Sequence, residues 1–276
     1  GHIWIGTYAH GLSRLDRKKN TFRNYEIDYG IGNRINRVSV LNDGSVWVCS
    51  NNGLARYMPE QDSFVVYLPV PEDPFSINTT SVYDILRTRK GEYYVAGEEY
   101  NIQTLNISDG SFTDISYKRD PELLSNFNKR IIEGPDGQLY IIAHQHGLVV
   151  YNPQSGDSEI FTRGPAGLSS NILSGDYAFG PEGKLWICTD GGGINIYDPE
   201  SKSFDYIRHE ADNPWSLISD HVYSIWFDNE NRAWIGSFDK GISVYDRNHF
   251  KFSSSLFSSG DLGILENKSV IALFQD

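Results

Sequence analysis

At 276 residues, 39% of them hydrophobic, the chain can bury a substantial core as one large all-β domain or two small ones. The net charge of −12 argues against nucleic acid or an anionic membrane surface as a partner, because both need a basic face. No stretch approaches the roughly 20 apolar residues of a membrane helix. The N-terminus lacks a signal-peptide pattern and begins inside a repeat, so we expect a piece excised from a longer protein.

A tryptophan or tyrosine recurs at intervals of about 46 residues, each time within the same short pattern. The pattern reads GKLWICTDGGGINIY in the fifth copy and NRAWIGSFDKGISVY in the sixth. A fixed period in this range indicates a repeat architecture, in which most recurring residues serve the fold. The aromatic residues are Trp4, Trp47, Tyr94, Tyr140, Trp186 and Trp234.

Each copy contains four short β-type runs separated by turn residues. In the fifth copy the runs are DYAFG, KLWICT, INIYD and SFDYI, with PEGK, DGGG and PESK between them. Four strands of about five residues plus turns account for the period. No segment has apolar residues at helical spacing over ten or more positions, so little helix is expected.

A four-stranded antiparallel unit repeated about six times predicts an all-β fold, a β-propeller of about six four-stranded antiparallel blades. We predict a single domain over residues 1–276, in which residues 270–276 supply the strand that the first unit lacks. The rival interpretation is a stretch of a seven-bladed or longer propeller array. The predicted units are residues 2–27 (completed by 268–276), 34–67, 81–117, 127–162, 173–208 and 221–253.

Two further sets of recurring residues are expected to serve the fold. Glycines at the two hairpin turns should allow a positive φ. Cys49 and Cys188 each follow the repeat aromatic by two residues, and we expect both to be small buried core residues that form neither a disulfide nor a metal pair. The turn glycines are Gly44, Gly91, Gly137 and Gly183 in one turn, and Gly11, Gly53, Gly147, Gly193 and Gly241 in the other.

The repeat resembles a known family. The string Trp-Ile-Gly-Thr/Ser, a variable tip, Gly-Leu/Ile and a later Tyr/Leu-Asp is similar to the two-component regulator propeller repeat. The spacers LSSNILSG, PFSINTTSVYDI and NPWSLISDHVYSI resemble the Ser-Leu-Ser-x-Asn-x-Val-x-x-Ile spacer of that family. The likeness covers essentially the whole chain, and the third and fourth copies depart most from it.

This resemblance implies a non-catalytic, periplasmic ligand-sensing propeller of a hybrid two-component sensor histidine kinase, of the kind that detects glycan-derived oligosaccharides in gut Bacteroidetes. It also implies neighbouring propeller and β-sandwich modules, and a homodimer in the full-length receptor. No cofactor, nucleic acid or direct membrane contact of this fragment is expected. The alternatives are a propeller-type polysaccharide lyase or glycosidase, and an interaction scaffold without a ligand of its own.

Candidate ligand-binding residues come from the parts in which the copies differ. In a propeller, the tips between the second and third strands share one face with the loops that enter each inner strand, and this face is the default binding surface. Aromatic, amide and charged side chains at the tips suit carbohydrate, although each tip could equally be a solvated loop. The tip candidates are Tyr8, His10, Tyr100, His144, His146, Asp190, Phe238 and Lys240.

A second set lies at one equivalent position of the inner strands. Charged side chains there would reach the central channel, where they could pair with each other or grip a polar ligand. This set comprises Arg37, Asp84, Arg130 and Asp176. Phe75 and Trp215 stand out in otherwise polar spacers, and each could be a sugar platform, a module contact or a ring folded onto its own blade.

Catalytic and metal sites have weaker signals. His144 and His146 would form a minimal metal pair, but no third ligand is evident nearby, so no metal is expected. The glycines near Gly191 lie at a hairpin tip with no helix following, which excludes a nucleotide-binding loop. Asp84, Asp176 and Glu133 could supply an acid and a base for glycoside cleavage, but their spacing does not specify the separation required.

Overall fold

The computed structural model describes residues 2–25, 30–98, 102–115, 128–145, 147–173, 175–246 and 251–253. These residues form 23 strands in six sheets, without a helix. In every sheet, each strand lies beside the next one along the chain. The described part of the chain contains no helix long and apolar enough to cross a membrane.

The first sheet has three described strands and the other five have four each. The first contains β1 (His2–Gly6), β2 (Leu12–Asp16) and β3 (Thr21–Tyr25). The second contains β4 (Ile35–Val40), β5 (Val46–Ser50), β6 (Gly53–Met58) and β7 (Ser63–Tyr67). The third contains β8 (Val82–Arg87), β9 (Tyr93–Gly97), β10 (Ile102–Asn106) and β11 (Ser111–Asp114).

The remaining three sheets follow in chain order. The fourth contains β12 (Asn128–Glu133), β13 (Leu139–Ala143), β14 (Gly147–Tyr151) and β15 (Ser158–Phe161). The fifth contains β16 (Tyr177–Phe179), β17 (Leu185–Thr189), β18 (Gly193–Asp198) and β19 (Ser203–Ile207). The sixth contains β20 (Val222–Phe227), β21 (Ala233–Ser237), β22 (Ile242–Asp246) and β23 (Lys251–Ser253).

The predicted fold class is confirmed: the chain is all-β, with six antiparallel blade units of the β-propeller type. The chain divides into two compact units. One comprises Gly1–Ala143 and Val149–Glu159, and the other comprises His144–Leu148 and Ile160–Asp276. The strand predicted at residues 268–276 lies outside the described residues, so completion of the first blade stays a prediction.

The turn glycines behave as predicted, because all nine have a positive φ, between +70° and +108°. Gly53 shows why glycine suits the second turn. Its φ is +84°, and an added Cβ would lie 2.3 Å from the carbonyl oxygen of Tyr67. A side chain there would collide with the neighbouring strand as well as strain the backbone.

The repeat aromatics pack between successive sheets, as expected. Trp47 on β5 is fully buried, and its ring lies 5.8 Å from that of Tyr93 in the next sheet. Trp186 on β17 likewise meets Phe227 of the sixth sheet, with 5.4 Å between ring centroids. Cys49 and Cys188 are buried free thiols, and burial raises the pKa of each. Both cysteines are therefore core residues, as predicted.

Candidate ligand-binding site

Backbone hydrogen bonds tie the hairpin tips to the loops that enter the first strand of each sheet. In the second unit, the Asp190 N–H donates to the Ile172 carbonyl at 3.0 Å, and the Phe238 N–H donates to that of His221 at 2.9 Å. The Gly191 N–H crosses to the loop before the next sheet, donating to the Asp220 carbonyl at 3.0 Å. The first unit repeats this bonding, since Gly53 N–H donates to Thr80 at 2.6 Å. Within each unit, tips and entering loops therefore form one surface, as predicted.

A β-bulge lies near the start of the first strand in the second, third, fourth and sixth sheets. In the sixth sheet, Val222 pairs with Ser237 and Ser224 pairs with Gly236, which leaves Tyr223 as the extra residue. In the third sheet the extra residue is Tyr83, between Val82 and Asp84. Bulges commonly re-aim a side chain beside a functional site. Neither tyrosine is among the residues predicted for the site.

The first strand of the fifth sheet is shorter than its apolar run predicts. Only Tyr177–Phe179 form β16, whereas residues 176–180 were expected to be extended. Asp176 connects two sheets just before this strand, because its carbonyl accepts the Cys188 N–H of β17 at 3.0 Å and its N–H donates to the Tyr223 carbonyl of the next sheet at 2.8 Å. Its carboxylate accepts the Tyr177 N–H at 3.0 Å.

Four side chains of the second unit meet at the tip surface, and we name them the Asp190 cluster: Asp190, His221, Tyr223 and Phe238. His221 Nδ1 lies 2.5 Å from Asp190 Oδ1, and the Tyr223 hydroxyl donates to Asp190 Oδ2 at 3.4 Å. The Phe238 ring lies 5.1 Å from the Tyr223 ring at 36°. Phe238 is 51% exposed, so an open aromatic surface borders a fixed carboxylate and imidazole.

The charges at the cluster favour a protonated imidazole. The hydrogen bond to Asp190 raises the pKa of His221 above 6.5, and the negative charges of Asp190, Asp239 and Asp220 add to this effect, while partial burial opposes it. Asp239 is itself held near the cluster by the Ser219 hydroxyl, at 2.8 Å. The cluster therefore presents a charge-assisted Asp–His pair, whose acceptor and donor groups are fixed before any ligand arrives.

We expect an NMR titration to give a His221 pKa above 6.5, and Asp190→Asn to lower it, because the neutral amide no longer favours the imidazolium. The pKa of His221 also makes the stability of the fold depend on pH. Because this pKa is higher in the folded than in the unfolded chain, the pair contributes its full stability below the unfolded pKa of histidine. The contribution is lost as the pH rises through the folded pKa. Asp212→Asn is the control, because Asp212 is exposed and is not among the charges that act on His221, and it should leave the His221 pKa unchanged. An unchanged His221 titration in Asp190→Asn would contradict the pairing.

The first unit carries a second aromatic and charged group at its tips. The Arg34 guanidinium lies 4.7 Å from the ring centroid of Tyr8, which is 75% exposed. The pKa of the bulge residue Tyr83 is raised by burial and by the charge of Glu98, and Arg34 counteracts this. Arg34 and Tyr83 thus lie within electrostatic range of each other. Arg34 was not predicted, although it occupies the same position before the first strand as His221.

The charged position of the first strands is structural where its contacts are described. Arg37 Nε lies 2.9 Å from Asp84 Oδ1, and Asp84 is only 3% exposed. Both Asp84 oxygens also accept backbone N–H groups, from Ile85 at 3.0 Å and from Ile131 at 3.1 Å. The mutual pairing that we considered for this position is thus present for Arg37 and Asp84. Arg130 lies on β12 directly after the bulge and is partly buried.

Glu133, the other acid considered for catalysis, is engaged in a similar way. Its Oε2 accepts the Arg89 N–H at 2.7 Å, and its Oε1 lies 3.2 Å from Arg89 Nε. Both Asp84 and Glu133 are therefore engaged by a neighbouring arginine and by backbone N–H groups. The described residues contain no group of three or more metal-ligating side chains.

Several other predicted site residues lie exposed or partly buried at their own tips and spacers. Tyr100 and His146 lie outside the described residues. His10 and Lys240 are exposed tip residues whose N–H groups bond to Thr7 and Ser237, and His144 is partly buried. Trp215 is 52% exposed in its spacer, and Phe75 is 61% exposed in the equivalent turn. Of the predicted tip residues, the structure thus brings together Asp190 and Phe238, with Tyr223 between them.

No protein-family model and no curated protein sequence matches the chain. Solved structures do match. The structure described as the extracellular domain of the hybrid two-component system BT3049 from B. thetaiotaomicron has a TM-score of 0.76 and 25% identity, covering 100% of this chain and 36% of its own. For BT4673 from the same organism, the TM-score is 0.71 and the identity 20%, over 88% of this chain and 31% of its own.

An enzyme is also among the structural matches. Virginiamycin B lyase from Staphylococcus aureus has a TM-score of 0.69 with 17% identity, covering 99% of this chain and 85% of its own. At this identity the likeness shows the fold alone. The chain spans about a third of the length of the sensor domains that it matches. It is therefore similar over its whole length to a segment of the extracellular domain of a two-component system.

Proposed function

We propose that this chain is a non-catalytic, ligand-sensing propeller segment from the periplasmic part of a hybrid two-component sensor histidine kinase, of the two-component regulator propeller family. The observation that carries the proposal is the 25% identity over the full chain to an extracellular domain described as part of such a system. The spacer and repeat motifs of the sequence agree with it.

We further propose that the ligand is a glycan-derived oligosaccharide and that the Asp190 cluster contacts it. Sugar rings present C–H faces that pack on aromatic rings, and hydroxyl groups that need fixed donors and acceptors. Phe238 and Tyr223 offer aromatic rings for the C–H faces, and the Asp190–His221 pair offers an acceptor and a donor for the hydroxyl groups. The Tyr8 and Arg34 side chains are the corresponding candidate contacts of the first unit.

The partners follow from the same proposal. Because the chain covers only 36% of the matched sensor domain, neighbouring propeller and β-sandwich modules would adjoin it in the parent protein. The full-length receptor is proposed to be a homodimer, which would carry the binding signal to the kinase.

Calorimetry against a panel of oligosaccharides tests the ligand. We expect at least one binder, with Asp190→Asn or Phe238→Ala weakening its affinity by roughly 10-fold or more, since a hydrogen bond to a charged group contributes about 1.5–3 kcal/mol. Phe22→Ala is the control, because Phe22 is an exposed phenylalanine on β3 of the other unit, and this variant should bind with unchanged affinity. Binding that is insensitive to both cluster variants would refute the site.

The same panel separates the alternatives by class. Saturable binding without product formation supports the sensor. Turnover of a glycan that is lost in His221→Ala would support a lyase or glycosidase instead, because the Asp190–His221 pair would then serve as the base. Absence of binding, together with dimerisation of the full-length protein, would support a scaffold.

A further inference from the structure

The second unit contains a cavity at the end of β17 opposite to Asp190. It lies between the fifth and sixth sheets and has a volume of about 320 Å³. Trp186, Phe227 and Tyr245 form aromatic walls, with the Trp186 ring 5.4 Å from Phe227 and 5.7 Å from Tyr245. Trp186 is partly exposed, whereas its equivalent in the second sheet, Trp47, is fully buried.

The equivalent space beside Trp47 is filled by the chain itself. Across the ladder, Trp47 pairs with Arg56 and Leu54 pairs with Tyr67. The Arg56 guanidinium lies 5.7 Å from the Trp47 ring centroid, and the Tyr67 ring stacks on Trp47 at 6.0 Å and 21°. A guanidinium and a phenol ring therefore cover this tryptophan.

The first sheet has the same pair of side chains, although Trp4 stays partly exposed and, with Arg14, lines a cavity of about 550 Å³. Trp4 pairs with Arg14, and Leu12 pairs with Tyr25. The Arg14 guanidinium lies 5.5 Å from the Trp4 ring centroid, and the Tyr25 ring stacks on Trp4 at 5.7 Å and 28°. Two repeats of this chain thus place an arginine on the tryptophan, a favourable cation–π geometry.

The fifth sheet lacks both covering side chains. Trp186 pairs with Ile196, and Ile207 stands where the other sheets have tyrosine. Both isoleucines line the cavity. The cavity is thus the volume that Arg56 and Tyr67 fill beside Trp47 in the second sheet.

The charges around the cavity are mainly negative. Glu182 and Asp205 line it together with Lys184, and the Lys184 Nζ lies 3.1 Å from Asp198 Oδ2 and 4.0 Å from Asp205 Oδ2. Three carboxylates therefore surround one ammonium group. Asp205 is the cross-strand partner of Ile196, so its carboxylate lies beside the position that an arginine at 196 would take.

We propose that this cavity binds a small ligand carrying a guanidinium group, which stacks on Trp186 beside Asp205 as Arg56 stacks on Trp47. The guanidinium of the ligand takes the place over the tryptophan that Arg56 has in the second sheet and Arg14 has in the first. It is separate from the Asp190 cluster and does not depend on the proposed glycan sensing.

Calorimetry with N-acetyl-arginine amide, against the neutral isostere N-acetyl-citrulline amide, tests this site. We expect the arginine compound to bind and the citrulline compound to bind at least 10-fold more weakly, because only a cation gains from the ring face and the carboxylates. Ile196→Arg should abolish binding, since its own side chain fills the space. Asp205→Asn should weaken binding several-fold, and this exposed position leaves the core intact.

Thermal unfolding of Ile196→Arg shows whether the variant is folded, and Phe238→Ala should bind the arginine compound like the parent chain. Equal affinity for the arginine and citrulline compounds would overturn the proposal. A lack of binding to both compounds would also overturn it. So would unchanged binding of the arginine compound in both the Asp205→Asn variant and a folded Ile196→Arg variant. If the chain binds the arginine compound but none of the oligosaccharides, only the proposed glycan-sensing function is rejected.

Discussion

Replacing Asp84 with alanine is expected to lower the free energy of unfolding by about 1–3 kcal/mol for each of the two buried N–H groups that lose their acceptor. Asp84 is 3% exposed and holds Arg37 at 2.9 Å. Its removal strips the acceptor from the N–H groups of Ile85 and Ile131. Since Ile131 belongs to the next sheet, the loss weakens the junction between two blades of the first unit.

Urea denaturation of the purified chain measures this loss. Asp212→Ala is the control, because Asp212 is an exposed aspartate, and it should change stability by no more than about 0.5 kcal/mol. Asp84→Asn keeps the shape of the side chain and removes the charge, so its loss of stability should fall between those of Asp84→Ala and Asp212→Ala. A loss in Asp84→Ala that does not exceed the control would show that the pair does not stabilise the fold.

Trp47→Ala is expected to be similarly severe, with a loss of about 3–5 kcal/mol, since deleting a buried tryptophan leaves a cavity that the surroundings cannot fill. Trp47 is fully buried and packs against Tyr67 and Tyr93, with ring centroids at 6.0 and 5.8 Å. Arg56, which lies over the indole, would lose its stacking partner as well.

Thermal unfolding followed by circular dichroism suits this variant. Trp215→Ala removes a tryptophan that is 52% exposed, so it should leave the unfolding temperature nearly unchanged. A comparable decrease in both variants would mean that the loss comes from tryptophan removal in general. The core role of Trp47 would then be rejected.

Much of the architecture could be predicted because its causes are local. The period of the aromatic residues placed Trp47 and Trp186 between sheets, and the turn glycines marked where φ is positive. Each blade is a meander of neighbouring strands, so its pairing is read directly from consecutive runs. Copies of one unit also identify equivalent positions without any homologous sequence.

The bulges could not be predicted, because an extra residue in a strand leaves the apolar pattern nearly unchanged. Tyr83 and Tyr223 are for that reason not among the predicted site residues. A usable signal does exist at the neighbouring position, where the copies carry Arg34, Ser81 and His221 in otherwise similar contexts. Variation of this kind marks a loop position that the fold does not constrain.

The amino-acid order alone therefore specified the repeat, the blade and its turns, since hydrophobic alternation and glycine conformation act over a few residues. The pairing of Asp190 with His221 required the folded chain, because these residues are 31 positions apart and belong to different sheets. The same holds for the cavity over Trp186, which exists because the isoleucines at 196 and 207 leave unfilled the volume that Arg56 and Tyr67 occupy beside Trp47. Contacts between sheets depend on side-chain volume and backbone register together, and such contacts cannot be predicted from a single strand.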